Sequence, residues 1–113
     1  FMYGEDTDLS IRAAAAAGPN LICPEARIIH YGGKSEKVRA DKMVRLFRAK
    51  VQLFKKHWDP AWVPVGVRML QSWAGTRAAA AWAASKVRPG KRAAYEAWRD
   101  VWRRRGEYAT THA

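Results

Sequence analysis

Three carboxylates fall within four positions near the start of the chain, in Gly4-Glu5-Asp6-Thr7-Asp8-Leu9-Ser10-Ile11-Arg12. An acidic triplet at a loop-to-helix junction has two physical readings. Carboxylates at a helix N-terminus complement its dipole by about 0.3–1 kcal/mol each, so the cluster can be a well-capped helix start. It can also hold one carboxylate free for proton transfer. Further on, His30 ends an apolar run, and Lys34 and Ser35 follow the Gly32-Gly33 turn. A hydrogen-bonded strand end and a solvated loop explain these three as well as contact with a ligand phosphate does. Cys23 is the single cysteine. It forms no intramolecular disulfide, suits a reducing compartment and is expected to be a small buried apolar residue.

These groups need elements to hold them. A helix is predicted from Asp6 or Thr7, both acceptable N-caps, through the alanine run Ala13 to Ala17. Gly18 then offers a left-handed C-terminal position, and Pro19 forbids continuation. Leu21-Ile22-Cys23 and Ile28-Ile29-His30-Tyr31 are too short for helices and suit buried strands, with Pro24-Glu25-Ala26 between them. From Glu36 to Trp58 the period changes. Ala40, Val44, Phe47, Val51, Phe54 and Trp58 alternate at steps of four and three, one stripe of a long helix. A second helix is predicted from about Pro64 to Lys86, weakened by Gly66 and Gly75. Arg88-Pro89-Gly90 reads as a turn. A final helix, Lys91 to Arg105, places Tyr95, Trp98 and Trp102 on one face, and Asp100 four residues before Arg104.

Charge divides the chain. Its net charge is +11, yet the first 33 residues hold two basic and four acidic side chains, against 19 basic and six acidic in the rest. The acidic head is expected to carry function and the basic tail to seek polyanions. The chain opens on Phe1, with no signal peptide, which suggests a piece of something longer. Met69 to Ser85, its least charged region, draws its apolar residues mainly from alanine rather than leucine or isoleucine and is too polar for a transmembrane helix.

The order Glu-Asp-x-Asp-Leu-x-x-Arg over Glu5 to Arg12, then glycine, then Pro24-Glu25-Ala26, then His30-x-Gly-Gly-x-Ser35 resembles the end of the catalytic domain in bacterial family 2 glycosyltransferases, particularly rhamnosyltransferase-like members. The match is tight over Phe1 to Ser35. The basic stretch through Lys55-Lys56-His57 is also similar to the segment C-terminal to the catalytic domain in those enzymes, whereas the half from Pro60 onward is similar only in general character. The fold implied is an α+β fragment: residues 1–35 close a GT-A (Rossmann-like α/β) domain, with two strands at the edge of a larger sheet. Residues 36–113 form a basic, mostly helical C-terminal region.

The resemblance implies sugar transfer from a nucleotide-diphosphate donor, with inversion, to a lipid-linked saccharide acceptor in cell-surface polysaccharide synthesis. The acceptor hydroxyl must lose a proton as it attacks, which requires a general base. Asp6 matches the second acid of the family's Glu-Asp motif and is the candidate base, with Thr7 capping the helix. Glu5 orients the acceptor or raises the basicity of Asp6. Asp8, Lys34 and Ser35 are the substrate-binding candidates. His30 is the candidate ligand for a divalent metal, Mg or Mn, in the full enzyme. No Asp-x-Asp stands apart from Asp6-Thr7-Asp8 and no Gly-rich phosphate loop occurs, so the chain alone is expected to be inactive.

The tail sets Trp58, Trp62, Trp73, Trp82, Trp98 and Trp102 among lysines and arginines. They can form a seam between helices, or lie on an anionic membrane with indoles at headgroup depth. The second suits a cytoplasmic enzyme peripheral to the inner face of the plasma membrane. The alternative is a basic helical module that binds nucleic acid or membrane without catalysis. Nucleic acid is not expected, because the chain has no helix-turn-helix or zinc-finger signature and its acidic head repels phosphate.

Overall fold

The computed structural model describes residues 3–29 and 39–110. Their five α-helices are α1 (Glu5–Ala17), α2 (Arg39–His57), α3 (Val63–Val87), α4 (Arg92–Arg103) and α5 (Arg105–Ala109), with a 3-10 turn over Pro89–Lys91. The four-three stripe of α2 does what its spacing predicts. Ala40, Val44, Phe47 and Val51 are buried, and the stripe fades through half-buried Phe54 to exposed Trp58.

Helix α2 packs against α3, α4 and α5, and α3 runs along α4. Phe47 is the hub. Its ring meets Tyr108 of α5 edge-on at 5.1 Å between centroids and Trp73 of α3 at 5.5 Å, and Trp73 in turn meets Trp98 of α4 edge-on at 5.5 Å. Fully burying a side chain such as Phe47 contributes roughly 1.5–3 kcal/mol. Buried Phe47, Trp98 and Tyr108 therefore anchor the core with Val101 and Ala74, and partly exposed Trp73 bridges Phe47 to Trp98 from its edge.

The two glycines of α3 have a packing reason. A Cβ on Gly66 would come within 2.8 Å of the Phe54 and Trp58 rings, which stack on each other with centroids 4.1 Å apart. A Cβ on Gly75 would meet Trp102 at 3.0 Å. The propensity lost at each position allows an aromatic ring to lie directly on the α3 backbone.

The α+β expectation is overturned: no strand forms among the described residues, and the fold is all-helical. Leu21, Ile22, Ile28 and Ile29 are each more than four-fifths exposed. A strand is held by a ladder partner and by burial of a face, and Leu21, Ile22, Ile28 and Ile29 have neither among the described residues. Local order comes from a turn in which the Ala26 N–H donates to the Cys23 carbonyl at 3.1 Å. Cys23 is exposed rather than buried, with Sγ 3.3 Å from Glu25 Oε2.

Smaller differences have local causes. Helix α1 starts at Glu5, after Tyr3 and Gly4 at positive φ, so Thr7 lies inside the helix and no side chain caps it. Gly18 does take a positive φ of 98°, but with ψ of −172°, an extended mirror conformation open essentially to glycine alone. The final helix breaks at Arg104 into α4 and α5, which turns Tyr108 into the core.

Candidate functional site

The acidic turn of α1 meets the basic end of α2. Positive charge is favoured at a helix C-terminus, where carbonyl oxygens are left unpaired, and α2 ends on Lys55, Lys56 and His57. Asp8, one turn into α1, reaches that end. Lys56 Nζ lies 2.7 Å from Asp8 Oδ1 and 2.9 Å from Oδ2, and His57 Nε2 lies 2.8 Å from Oδ1. Arg12, one turn further along α1, donates its Nε–H to Oδ2 at 3.0 Å. The Asp8 and His57 side chains are only 13% and 15% exposed, so their contact is shielded although the surrounding cations are not.

Hydrogen bonds from Lys56, then from His57 and Arg12, hold the Asp8 carboxyl well below the usual carboxylate range. A carboxylate whose charged form is so stabilised is a weak proton acceptor. Through these contacts Asp8 links α1 to the end of α2. It also lines, with Gln52, Leu53 and Lys56, a cleft of about 290 Å³ beside the contact.

Glu5 and Asp6 stand in the first turn of α1, both exposed and without an ion pair among the described residues. The structure thus separates the three acids: Asp8 is engaged, and Glu5 and Asp6 face solvent on the same turn. Asp6 is indeed free of a capping role, although Thr7 does not take that role either. His30, Lys34 and Ser35 lie outside the described residues. Among the described residues, no group of three or more histidine, cysteine or acidic side chains converges on a possible metal position.

Sequence reasoning placed Lys56 and His57 in a generic basic stretch and gave them no site. Their position at a helix C-terminus was the available signal. What it lacked was the partner, 48 and 49 residues away.

Comparisons with protein-family models, with curated proteins and with solved structures found no match to this chain.

Proposed function

We propose that this chain serves an inverting glycosyltransferase similar to family 2, moving a sugar from a nucleotide-diphosphate donor to a lipid-linked saccharide acceptor in cell-surface polysaccharide synthesis. Beyond the ordered sequence motifs, the observation that carries this reading is the division among the acids of α1. Asp8 is engaged by Lys56, His57 and Arg12, while Glu5 and Asp6 are exposed on the same turn. The docked residue fixes the turn, and the free ones remain open to an acceptor.

In the proposed step the acceptor hydroxyl oxygen forms a bond to the anomeric carbon on the face opposite the leaving group. The hydroxyl proton passes to an Asp6 oxygen. The bond from the anomeric carbon to the diphosphate oxygen breaks, and its electron pair leaves with the nucleoside diphosphate. Glu5 orients the acceptor. An acceptor carried on lipid places the reaction at a membrane, and the excess of cations after residue 33 suits an anionic one.

The test compares Asp6→Asn with the unaltered protein, using the native gene product that carries these residues and labelled nucleotide-diphosphate sugars. Transfer to lipid-linked saccharide should fall by about 10²- to 10⁴-fold on loss of a general base, with inverted anomeric configuration in the unaltered product. Unchanged transfer by Asp6→Asn would remove Asp6 from the mechanism. No transfer from any donor would remove the reading as a whole.

A further inference from the structure

Helix α3 presents a second surface that the fold does not use. Trp62 at its N-cap, then Val65, Met69, Ala80, Ala83 and Val87, recur at helical spacing on one side, and all are exposed. Trp62, Met69 and Val87 are 63%, 67% and 81% exposed. Ser72 and Thr76 fall on the same line between Met69 and Ala80, and the Thr76 hydroxyl donates to the Trp73 carbonyl at 2.9 Å. The stripe contains no charge and runs the length of a 25-residue helix, roughly 37 Å at 1.5 Å per residue. Uncharged, largely apolar surface of this extent marks an interaction site.

The only charges on α3 are Arg68, Arg77 and Lys86, and the helix has no acidic residue. By helical position they flank the stripe rather than interrupt it. Arg77 lies over the Trp73 ring at 5.3 Å and Lys86 over the Trp82 ring at 5.5 Å, each cation held beside an indole. Tryptophan and snorkelling cations at the edge of an apolar face are the arrangement of a helix lying in a lipid headgroup region. No helix among the described residues is long and apolar enough to cross a membrane.

We infer that this outward face of α3 docks flat on an anionic lipid bilayer. The inference rests on the membrane-surface reading above and is independent of sugar transfer. Charge complementarity selects the bilayer over a second copy of the chain. Two α3 faces would bring arginine and lysine against arginine and lysine, with no carboxylate on either helix and a net charge of +11 on each chain. Anionic headgroups meet the same cations with opposite charge.

The experiment is flotation with phosphatidylcholine vesicles containing about one-third phosphatidylglycerol. Met69→Glu with Ala80→Glu changes two exposed positions on the stripe. Lys42→Gln with Lys50→Gln makes the same change in net charge on exposed positions of α2. The stripe variant should partition at least about tenfold more weakly than the unaltered chain, and the charge-matched variant no more than about threefold. Equal loss in both variants, or none in the stripe variant, overturns the docking face. A dimer in solution abolished by Met69→Glu assigns the face to a second copy and overturns it too. Failure of the unaltered chain to float removes the membrane reading itself. If the stripe variant does not fold, a nitroxide on Met69→Cys in a Cys23→Ser background decides. It should become shielded from aqueous relaxants on vesicles, and continued water access overturns the proposal.

Discussion

His57 Nε2 lies 2.8 Å from Asp8 Oδ1, a contact between the end of one helix and the first turns of another, 49 residues apart in sequence. With Lys56 on the same carboxylate, it ties the acidic turn to the helical core.

The Asp8 contact sets an acid dependence. Its carboxyl titrates well below its ordinary value of 3.8 in the folded chain. A depressed folded value means that the contribution to stability is complete above the unfolded value and is lost as pH falls through the folded one. Docking of α1 should persist at pH 4 and fail only under strongly acidic conditions. Amide exchange of α1 measured against pH checks this, and Asp8→Asn should speed that exchange already at neutral pH while leaving α2 to α4 protected.

Tyr108 gives an alkaline counterpart. Its hydroxyl is buried without a hydrogen-bond partner among the described residues, and burial raises its pKa above the ordinary 10.0. A raised value means stability that is present below pH 10 and lost as pH rises through the folded value. Tyr108→Phe removes an unsatisfied polar atom, so it should leave stability unchanged or raise it by about 1 kcal/mol at neutral pH. It should also flatten the alkaline decline. Urea unfolding at pH 7 and pH 10.5 measures both.

Gly66→Ala should destabilise although it raises helix propensity by about 1 kcal/mol. The new methyl meets the stacked rings of Phe54 and Trp58 at 2.8 Å. Overpacking of this kind costs about 1–3 kcal/mol, so the net change in urea unfolding should be a loss, accompanied by altered tryptophan fluorescence.

Arg104 sits at the break between α4 and α5 and joins three helices. It makes two parallel bonds to Glu107, Nε to Oε1 at 2.9 Å and Nη2 to Oε2 at 3.0 Å, and pairs with Asp41 of α2 and Asp100 of α4. Lysine keeps the charge but cannot supply a planar fork. Arg104→Lys should therefore cost about 1 kcal/mol, partly exposed as the site is, and loosen α5 first. Amide exchange at Tyr108 and Ala109 reports that loosening.

Helices were legible wherever local chemistry decides them. The α2 stripe, the alanine run of α1 and the proline-bounded α3 need nothing beyond their own periodicity and terminators. The two apolar runs around Pro24 were misread because a short hydrophobic stretch declares burial without saying against what. Given no partner, Leu21 and Ile28 stay in solvent. The acidic turn was legible as a cluster, and its internal division was not. That Asp8 is engaged while Asp6 is exposed depends on where α2 ends in space, which no spacing within Glu5 to Arg12 encodes. The break at Arg104 escaped for the same reason. Asp100 was visible as a neighbour, whereas Asp41 became one only through folding.

The bond between Lys56 and Asp8 closes a loop of the chain across 48 positions. The entropy of closing a flexible loop grows only with the logarithm of its length, so doubling the loop adds about 0.6 kcal/mol. The attachment of the acidic turn thus depends only weakly on how much chain runs between Asp8 and Lys56. Lengthening the chain between α1 and α2 should therefore weaken the Asp8 attachment only slowly, while Glu5 and Asp6 keep their places on the first turn of α1.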